Sequence, residues 1–266
     1  RTRLDGAALG SGHLGDVFPH MVSRNVPQFL LRRLWPELWE SFTAEPHLMM
    51  FGAAEEGWGG RLDNVAARAR RLDDSLAGGD RVALTFRKTY IMDCASLLVL
   101  TRAAEDPAEI VLAWLPREFA ASESGGADTT WTQRTEPGLS MSRSTGDDVH
   151  HFIVESGPEC AVSAGSVLRV DRKRYASAAM QLGRREITSM SLLATATLRH
   201  HGLPVSAELV DFEEQVLAAR DAAKLNGRHL ELARQIFARF FAQASDANLT
   251  LHALWDRIRD MVNQAR

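Results

Sequence analysis

The sequence predicts a mixed α/β (α+β) protein, with an N-terminal α/β lobe over residues 1–155 and an all-helical lobe over residues 171–266. The first observation is that Val82, Leu84 and Phe86 alternate with smaller or polar residues, which is the period of a strand with one buried face. The second is a change after residue 171, where alanine, leucine and phenylalanine recur at helical spacing with few helix breakers.

Composition and charge limit the class of protein. The 266 residues are 45% hydrophobic and 24% charged, which is ordinary for a globular protein. The net charge of −3 argues against a nucleic-acid partner, because such proteins need a basic surface. Cys94 and Cys160 are far apart and fit a reducing compartment. No apolar run approaches the roughly 20 residues that span a bilayer, and the first residues lack the apolar core of a signal peptide. We therefore expect a cytoplasmic protein without a membrane partner.

Four segments make up the first part of the predicted α/β lobe. Residues 32–42 carry leucine and aromatic side chains at helical spacing, so they predict a helix. Residues 48–51 are apolar throughout, as in a strand covered on both faces. Residues 65–76 again show helical spacing, and they are followed by turn residues and by the strand over residues 82–86.

The remaining segments run from a second apolar stretch to the predicted helices. Residues 110–115 are compatible with either a buried strand or a short helix. Residues 121–148 are rich in serine, threonine, glycine and aspartate, which indicates an irregular hairpin or a loop. Residues 149–155 predict a strand. Residues 175–201 predict a helix that ends at a Gly-Leu-Pro sequence, with Ser206 as the cap of the next helix.

No complete catalytic or metal-binding set is visible in the sequence. Paired carboxylates such as Glu55-Glu56 are best explained as solvated faces, because charged side chains are mostly exposed. Adjacent histidines such as His150-His151 point to opposite faces of a strand and cannot chelate one metal. Arg87, Lys88 and Asp93 cluster at the exit of the 82–86 strand, where they form an active site, a partner-binding edge or an internal ion pair. For the ion pair, we expect Asp93 or Asp5 to be the acid that binds Arg87. We therefore expect no catalytic residue, no metal and no cofactor.

An ordered series of short motifs resembles the adaptor, or effector-chaperone, family of bacterial type VI secretion. The motifs cover residues 4–119, and the remainder is similar only in its helical texture. They are Leu4-Asp5-Gly6-Ala7, Val26-Pro27-Gln28-Phe29-Leu30, Trp58-Gly59-Gly60-Arg61-Leu62 and Phe86-Arg87-Lys88-Thr89-Tyr90, with Asp93 displaced from its usual position.

The resemblance implies a non-enzymatic, cytoplasmic chaperone that binds a secreted effector and helps load it onto the spike protein of the apparatus. The effector and the spike protein are the expected partners. Phe240 and Phe241 are adjacent and point about 100° apart on a helix, so one of them is a candidate for partner contact at the edge of an apolar stripe. The alternative is an enzyme, a transferase or hydrolase, with a site between the two lobes near Arg87 and Asp93.

Overall fold

A computed structural model describes most of the chain. The described residues are 18–19, 22–23, 26–56, 62–72, 80–116, 131–135, 140–142, 145–158, 160–221, 225–248, 255 and 259. The chain divides into two compact units. The sheet unit consists of residues 26–140 and 149–178, and the helical unit consists of residues 1–25, 141–148 and 179–266.

Two short helices open the sheet unit. They are α1 (Pro27–Leu34) and α2 (Pro36–Ala44), and each begins with a proline. Proline is accepted in the first turn of a helix but cannot continue one, since it has no N–H and its ring clashes with the preceding turn. The single helix predicted over residues 32–42 is therefore wrong in its start: Pro36 ends one helix and begins the next. The buried face of α1 carries Leu30 and Leu31.

Twelve strands follow among the residues that the structure describes. They are β1 (Met49–Gly52), β2 (Arg68–Leu72), β3 (Arg81–Thr85), β4 (Arg87–Met92), β5 (Ser96–Ala103), β6 (Glu109–Pro116), β7 (Trp131–Thr135), β8 (Met141–Ser142), β9 (Asp148–Val149), β10 (His151–Ser156), β11 (Ala161–Ser163) and β12 (Val167–Asp171). Seven strands form the larger sheet, in the order β11-β3-β2-β5-β6-β12 with β1 also paired to β5. A three-stranded sheet has the order β4-β10-β7, and β8 pairs with β9.

Strand β5 is the centre of the larger sheet. Its one edge pairs antiparallel with β6, and its other edge pairs in parallel with β1 and then with β2. Its residues 96–101 are all buried, and residues 97–100 are continuously apolar, as is typical of a central strand. The same pairing decides the ambiguous residues 110–115, which lie in β6 between β5 and β12.

The prediction of a helix over residues 65–76 is wrong. Residues 62–64 form a single 3-10 turn, and β2 follows over Arg68–Leu72. This strand pairs antiparallel with β3 and in parallel with β5. The helical spacing was a coincidence of a few apolar positions, which the pairing of β2 to two neighbouring strands overrides. The predicted strands over residues 48–51 and 82–86 are confirmed by β1 and β3, and the 149–155 strand by β10.

Three helices are described in the last part of the chain. They are α3 (Arg172–His200), α4 (Ala207–Asp221) and α5 (Gly227–Asp246). Ser206 accepts a hydrogen bond from the N–H of Leu209 at 3.3 Å, which confirms it as a cap of α4. Asn226 caps α5 in the same manner, with His229 completing the reciprocal bond. Helices α4 and α5 are joined by the ion pair of Glu208 with Arg239, at 2.6 Å.

Helix α3 contains buried hydroxyl groups that bond to their own helix. Thr188, Ser189 and Ser191 are fully buried. Thr188 and Ser189 donate to the carbonyl oxygens of the preceding turn at 2.8 Å, and Ser191 donates to the carbonyl oxygen of Thr188 at 2.8 Å. Such bonds satisfy a buried hydroxyl without any group from outside the helix.

The predicted class, a mixed α/β protein, is confirmed, as is the helical character of the last described elements. The division into lobes at residues 1–155 and 171–266 stays a prediction. Within the described ranges, no helix has the length and hydropathy needed to cross a membrane.

Candidate functional site

A β-bulge in strand β4 is the most unusual backbone feature of the sheet unit. Lys88 lies opposite Val154 and Ile91 lies opposite Phe152, so Thr89 and Tyr90 together face the single residue between them on β10. Tyr90 has φ +61°, in the left-handed region that side chains other than glycine rarely adopt. Bulges of this kind concentrate beside functional sites, where they redirect a side chain.

A buried ion pair lies directly before the bulge. The side chain of Lys88 is fully buried and that of Glu55 is 5% exposed, and the Lys88 ammonium donates to the Glu55 carboxylate. The backbone N–H groups of Ala66 and Ala67 donate to the two carboxylate oxygens of Glu55, at 2.5 and 3.2 Å. The carboxylate is therefore held by three donors. Burial lowers the pKa of the Lys88 ammonium to about 8, although the hydrogen bond and the charge of Glu55 act in the opposite direction.

Close packing around Lys88 leaves little freedom. A Cβ placed on Gly52 would lie 3.3 Å from Cγ of Lys88 and 3.4 Å from Cδ1 of Leu97. The N–H of Thr89 donates to the carbonyl oxygen of Ala54 at 3.0 Å, so the end of β1 and the bulge are directly bonded. Glycine at position 52 therefore makes room for the lysine stem beside the bulge.

The strain at Tyr90 makes a testable difference between two small substitutions. Tyr90→Gly and Tyr90→Ala both remove the ring, but only alanine keeps the penalty of a left-handed backbone. We expect the glycine variant to be about 1 kcal/mol more stable than the alanine variant in urea unfolding. The same comparison at Thr89, where φ is not positive, should favour alanine. Equal stability of the two Tyr90 variants would mean that the bulge relaxes when the ring is removed.

A second candidate group lies in the helical unit. Glu186 is in α3 and is half-buried, and none of the described residues binds its carboxyl group through a hydrogen bond or an ion pair. Burial raises the pKa of the Glu186 carboxyl from 4.5 to about 7. A carboxyl group with a pKa near neutrality and no charge partner has the properties of a general base.

The raised pKa of Glu186 predicts how stability depends on pH. The folded protein holds this proton between pH 4.5 and about 7, where the unfolded chain has lost it. Stability therefore falls as pH rises through this window, and the loss is complete above pH 7. We expect Glu186→Gln to raise the free energy of unfolding by up to about 3 kcal/mol at pH 8. Denaturant unfolding at several pH values should show the difference from the wild type vanishing below pH 4.5.

The structure separates the residues selected from the sequence. Asp5 and Trp58 lie outside the described residues. Phe86 is buried between β3 and β4, as the alternation predicted, and Pro27 is buried at the start of α1. Arg87 is half-exposed and forms ion pairs with Glu155 at 3.0 Å and with Glu56 at 3.9 Å, so it has the predicted ion pair, with these two glutamates as its acids. Asp93 is exposed. Phe240 is fully buried, and Phe241 is half-buried.

Sequence reasoning did not pair Glu55 with Lys88. Glu55 was assigned with Glu56 to a solvated face, which is wrong for Glu55 because its side chain is 5% exposed. Lys88 was placed in the cluster with Arg87 and Asp93, but no buried acid was assigned to it. One signal was available: Lys88 continues the alternation of Leu84 and Phe86, so it lies on the buried side of the chain. A lysine in that phase requires a buried acid.

No group of three or more histidine, cysteine or acidic side chains that could hold a metal occurs among the residues that the structure describes.

Comparison with known proteins shows a similar fold at very low sequence identity. No protein-family model and no curated protein matches the chain. An active-site mutant of nitroalkane oxidase crystallised with 1-nitrooctane has a TM-score of 0.62 at 12% identity, over 95% of this chain and 67% of that one. FkbI, for biosynthesis of a methoxymalonyl extender unit, has a TM-score of 0.58 at 15% identity, over 92% and 71%. A probable acyl-CoA dehydrogenase from Mycobacterium abscessus has a TM-score of 0.52 at 13% identity, over 97% and 76%.

These similarities overturn the resemblance to the type VI secretion adaptors. The similar structures are oxidase and dehydrogenase folds, and the similarity extends over more than nine-tenths of the chain, whereas the adaptor motifs were short and degenerate. The non-enzymatic chaperone function and effector loading, which depended on that resemblance, are wrong with it. At identities of 10–15% the comparison establishes the fold: the chain is folded like nitroalkane oxidase and acyl-CoA dehydrogenase structures.

Proposed function

We propose that the chain is an enzyme, a flavin-dependent oxidoreductase similar to the acyl-CoA dehydrogenases and nitroalkane oxidase. The observation that carries this proposal is the fold similarity, with TM-scores of 0.58 to 0.62 against nitroalkane oxidase structures. One of these structures is described as a flavoprotein. The enzyme alternative raised from the sequence is therefore adopted, with oxidation in place of hydrolysis or group transfer.

The buried polar groups of the sheet unit fit a ligand that offers hydrogen-bond acceptors. The indole N–H groups of Trp114 and Trp131 are buried and have no acceptor in the structure as described. Trp131 is only 1% exposed, and a buried donor without a partner calls for an explanation such as a bound group. A flavin carries acceptors at its ring nitrogens and carbonyl oxygens. When bound, it would accept the electron pair that is removed from a substrate.

Glu186 supplies the proton chemistry that such an oxidation requires. The C–H group beside a nitro group or a thioester carbonyl is acidic, and its oxidation begins with loss of a proton to a base. A general base works best when its pKa lies near the working pH, and burial brings the pKa of Glu186 to about 7. We assign Glu186 the role of proton acceptor from the substrate carbon.

Two finer proposals accompany this function. We propose that residues 171–266 form a helical lobe, for which α3, α4 and α5 are the described helices. We also propose a cytoplasmic location, supported by Cys94 and Cys160, two buried cysteines that form no disulfide bond. No nucleic-acid partner is expected from the net charge of −3.

The test is a flavin assay on the purified full chain. The protein, as isolated or after incubation with FAD or FMN, should show the visible absorption of a bound flavin and release it on heating. Anaerobic addition of a nitroalkane series and of an acyl-thioester series should bleach this absorption with one of the two classes. Glu186→Gln should keep the flavin and lose the bleaching, whereas Glu214→Gln, an exposed glutamate of α4, should keep both. A chain that retains neither flavin after incubation would contradict the proposal.

A further inference from the structure

The Glu55–Lys88 pair connects three separate stretches of the sheet unit. Glu55 follows β1, its carboxylate accepts the N–H groups of Ala66 and Ala67 just before β2, and Lys88 belongs to β4. The N–H of Thr89, the residue after Lys88, also donates to the carbonyl oxygen of Ala54, the residue before Glu55. A backbone hydrogen bond and a side-chain ion pair therefore lie next to each other here. The pair is therefore the point at which these stretches are joined through side chains.

Stability does not account for a buried pair at this place. Removing two charges from water costs more than their attraction returns unless further hydrogen bonds compensate, and apolar replacements of similar volume are often as stable. Here burial lowers the pKa of Lys88 even with Glu55 in contact, so desolvation outweighs the attraction for this lysine. The pair has another property, which is that its hydrogen bonds are directional. A buried carboxylate and a buried ammonium group fix the positions of the groups that bind them.

The Thr89–Tyr90 bulge follows Lys88 directly, and its strained backbone has to be held in place by its surroundings. A non-glycine residue in the left-handed region is retained only where its surroundings determine the backbone, and such residues concentrate at functional sites. Tyr90, at φ +61°, lies two residues after Lys88. The lysine stem is confined by Gly52 and Leu97, and its ammonium group is confined by Glu55. The strand therefore enters the bulge from a fixed position.

We propose that Glu55 and Lys88 are positioning residues, which hold the Thr89–Tyr90 bulge in its strained form instead of adding to the stability of the fold. That the positioned strand serves flavin binding rests on the proposed function. The positioning role itself concerns the backbone of this chain and is measurable without any ligand.

The experiment compares the wild type with the double variant Glu55→Gln/Lys88→Met in the full chain. This variant removes both charges at nearly constant volume and keeps an oxygen acceptor for Ala66 and Ala67. Three quantities are measured: the free energy of unfolding, the exchange rate of the Thr89 amide and the dissociation constant for FAD and FMN. The control is Arg169→Met/Glu109→Gln, which removes a half-buried pair between β12 and β6 in the same unit.

We expect the double variant to unfold at a denaturant concentration close to that of the wild type, while its Thr89 amide exchanges faster and its flavin dissociation constant rises about tenfold, or 1.4 kcal/mol. The control should leave Thr89 exchange unchanged. Wild-type exchange at Thr89 together with wild-type flavin affinity would overturn the positioning role. If the wild type binds no flavin, the proposed function fails, and Thr89 exchange alone still decides the role. A double variant that does not fold, or is far less stable than the wild type, would also contradict the proposal, because the pair would then be needed for stability.

Discussion

Lys88→Met should destabilise the protein by about 3–5 kcal/mol, since it leaves the Glu55 carboxylate buried without its cation. The carboxylate would keep the N–H groups of Ala66 and Ala67, but these dipoles replace only part of a full charge. Urea unfolding of the single variant and of the wild type at pH 7 measures the loss.

A second substitution tests the cause of that loss. Adding Glu55→Gln to Lys88→Met removes the uncompensated charge, so most of the lost stability should return. An exposed pair such as Arg71 with Asp80 is the comparison for an ordinary ion pair, where the corresponding loss is below about 1 kcal/mol. A cost below about 1 kcal/mol for Lys88→Met itself would show that water reaches the Glu55 carboxylate.

Phe240→Ala should cost about 3–5 kcal/mol in the helical unit, as the removal of a buried aromatic side chain generally does. The ring of Phe240 is fully buried, with its centroid 4.5 Å from that of Trp255 and 5.1 Å from that of Phe241. Loss of the ring leaves a cavity between these aromatic side chains. Thermal or urea unfolding followed by tryptophan fluorescence reports the change, since Trp255 borders the cavity.

The adjacent phenylalanine provides the matched control for this substitution. Phe241 is half-buried, and its ring centroid lies 5.3 Å from Cζ of Arg259. Phe241→Ala removes the same number of atoms, but less of the Phe241 ring is buried in the folded protein. The loss in the free energy of unfolding should therefore be clearly smaller. Equal losses at the two positions would show that the half-exposed ring contributes as much as the buried one.

Local periodicity predicted those parts of the fold that depend on a single segment. The strand around Leu84 and the helices of the last part of the chain each bury one face of one element, and their periods show this face directly. Strand β2 failed because its strand state comes from pairing with β3 and β5, which no local pattern contains. Strand β4 was not predicted, because the bulge at Thr89 and Tyr90 interrupts its alternation.

The candidate groups were hidden for a related reason. Glu55 and Lys88 are 33 positions apart, and the burial of each depends on the assembly of β1 with β4. Glu186 is one polar residue in a helix, and its pKa is raised by burial, which the helical spacing of its neighbours does not show. The adaptor motifs gave a wrong family because a match of a few residues does not determine the fold around them. Pro27, for example, begins helix α1, and Phe86 lies between two strands.

The buried hydroxyl groups of α3 make this part of the helix surface less polar than its sequence indicates. Because Thr188, Ser189 and Ser191 return their hydrogen bonds to their own backbone, they present methyl and methylene groups to whatever lies against them. The hydropathy of the sequence therefore underestimates how apolar the surface of residues 188–191 is. In a redesign, alanine at the two serines and valine at the threonine would preserve volume almost unchanged and strand no partner. A surface that packs against this part of α3 has to be complementary to it in shape, but it does not have to supply hydrogen-bond partners.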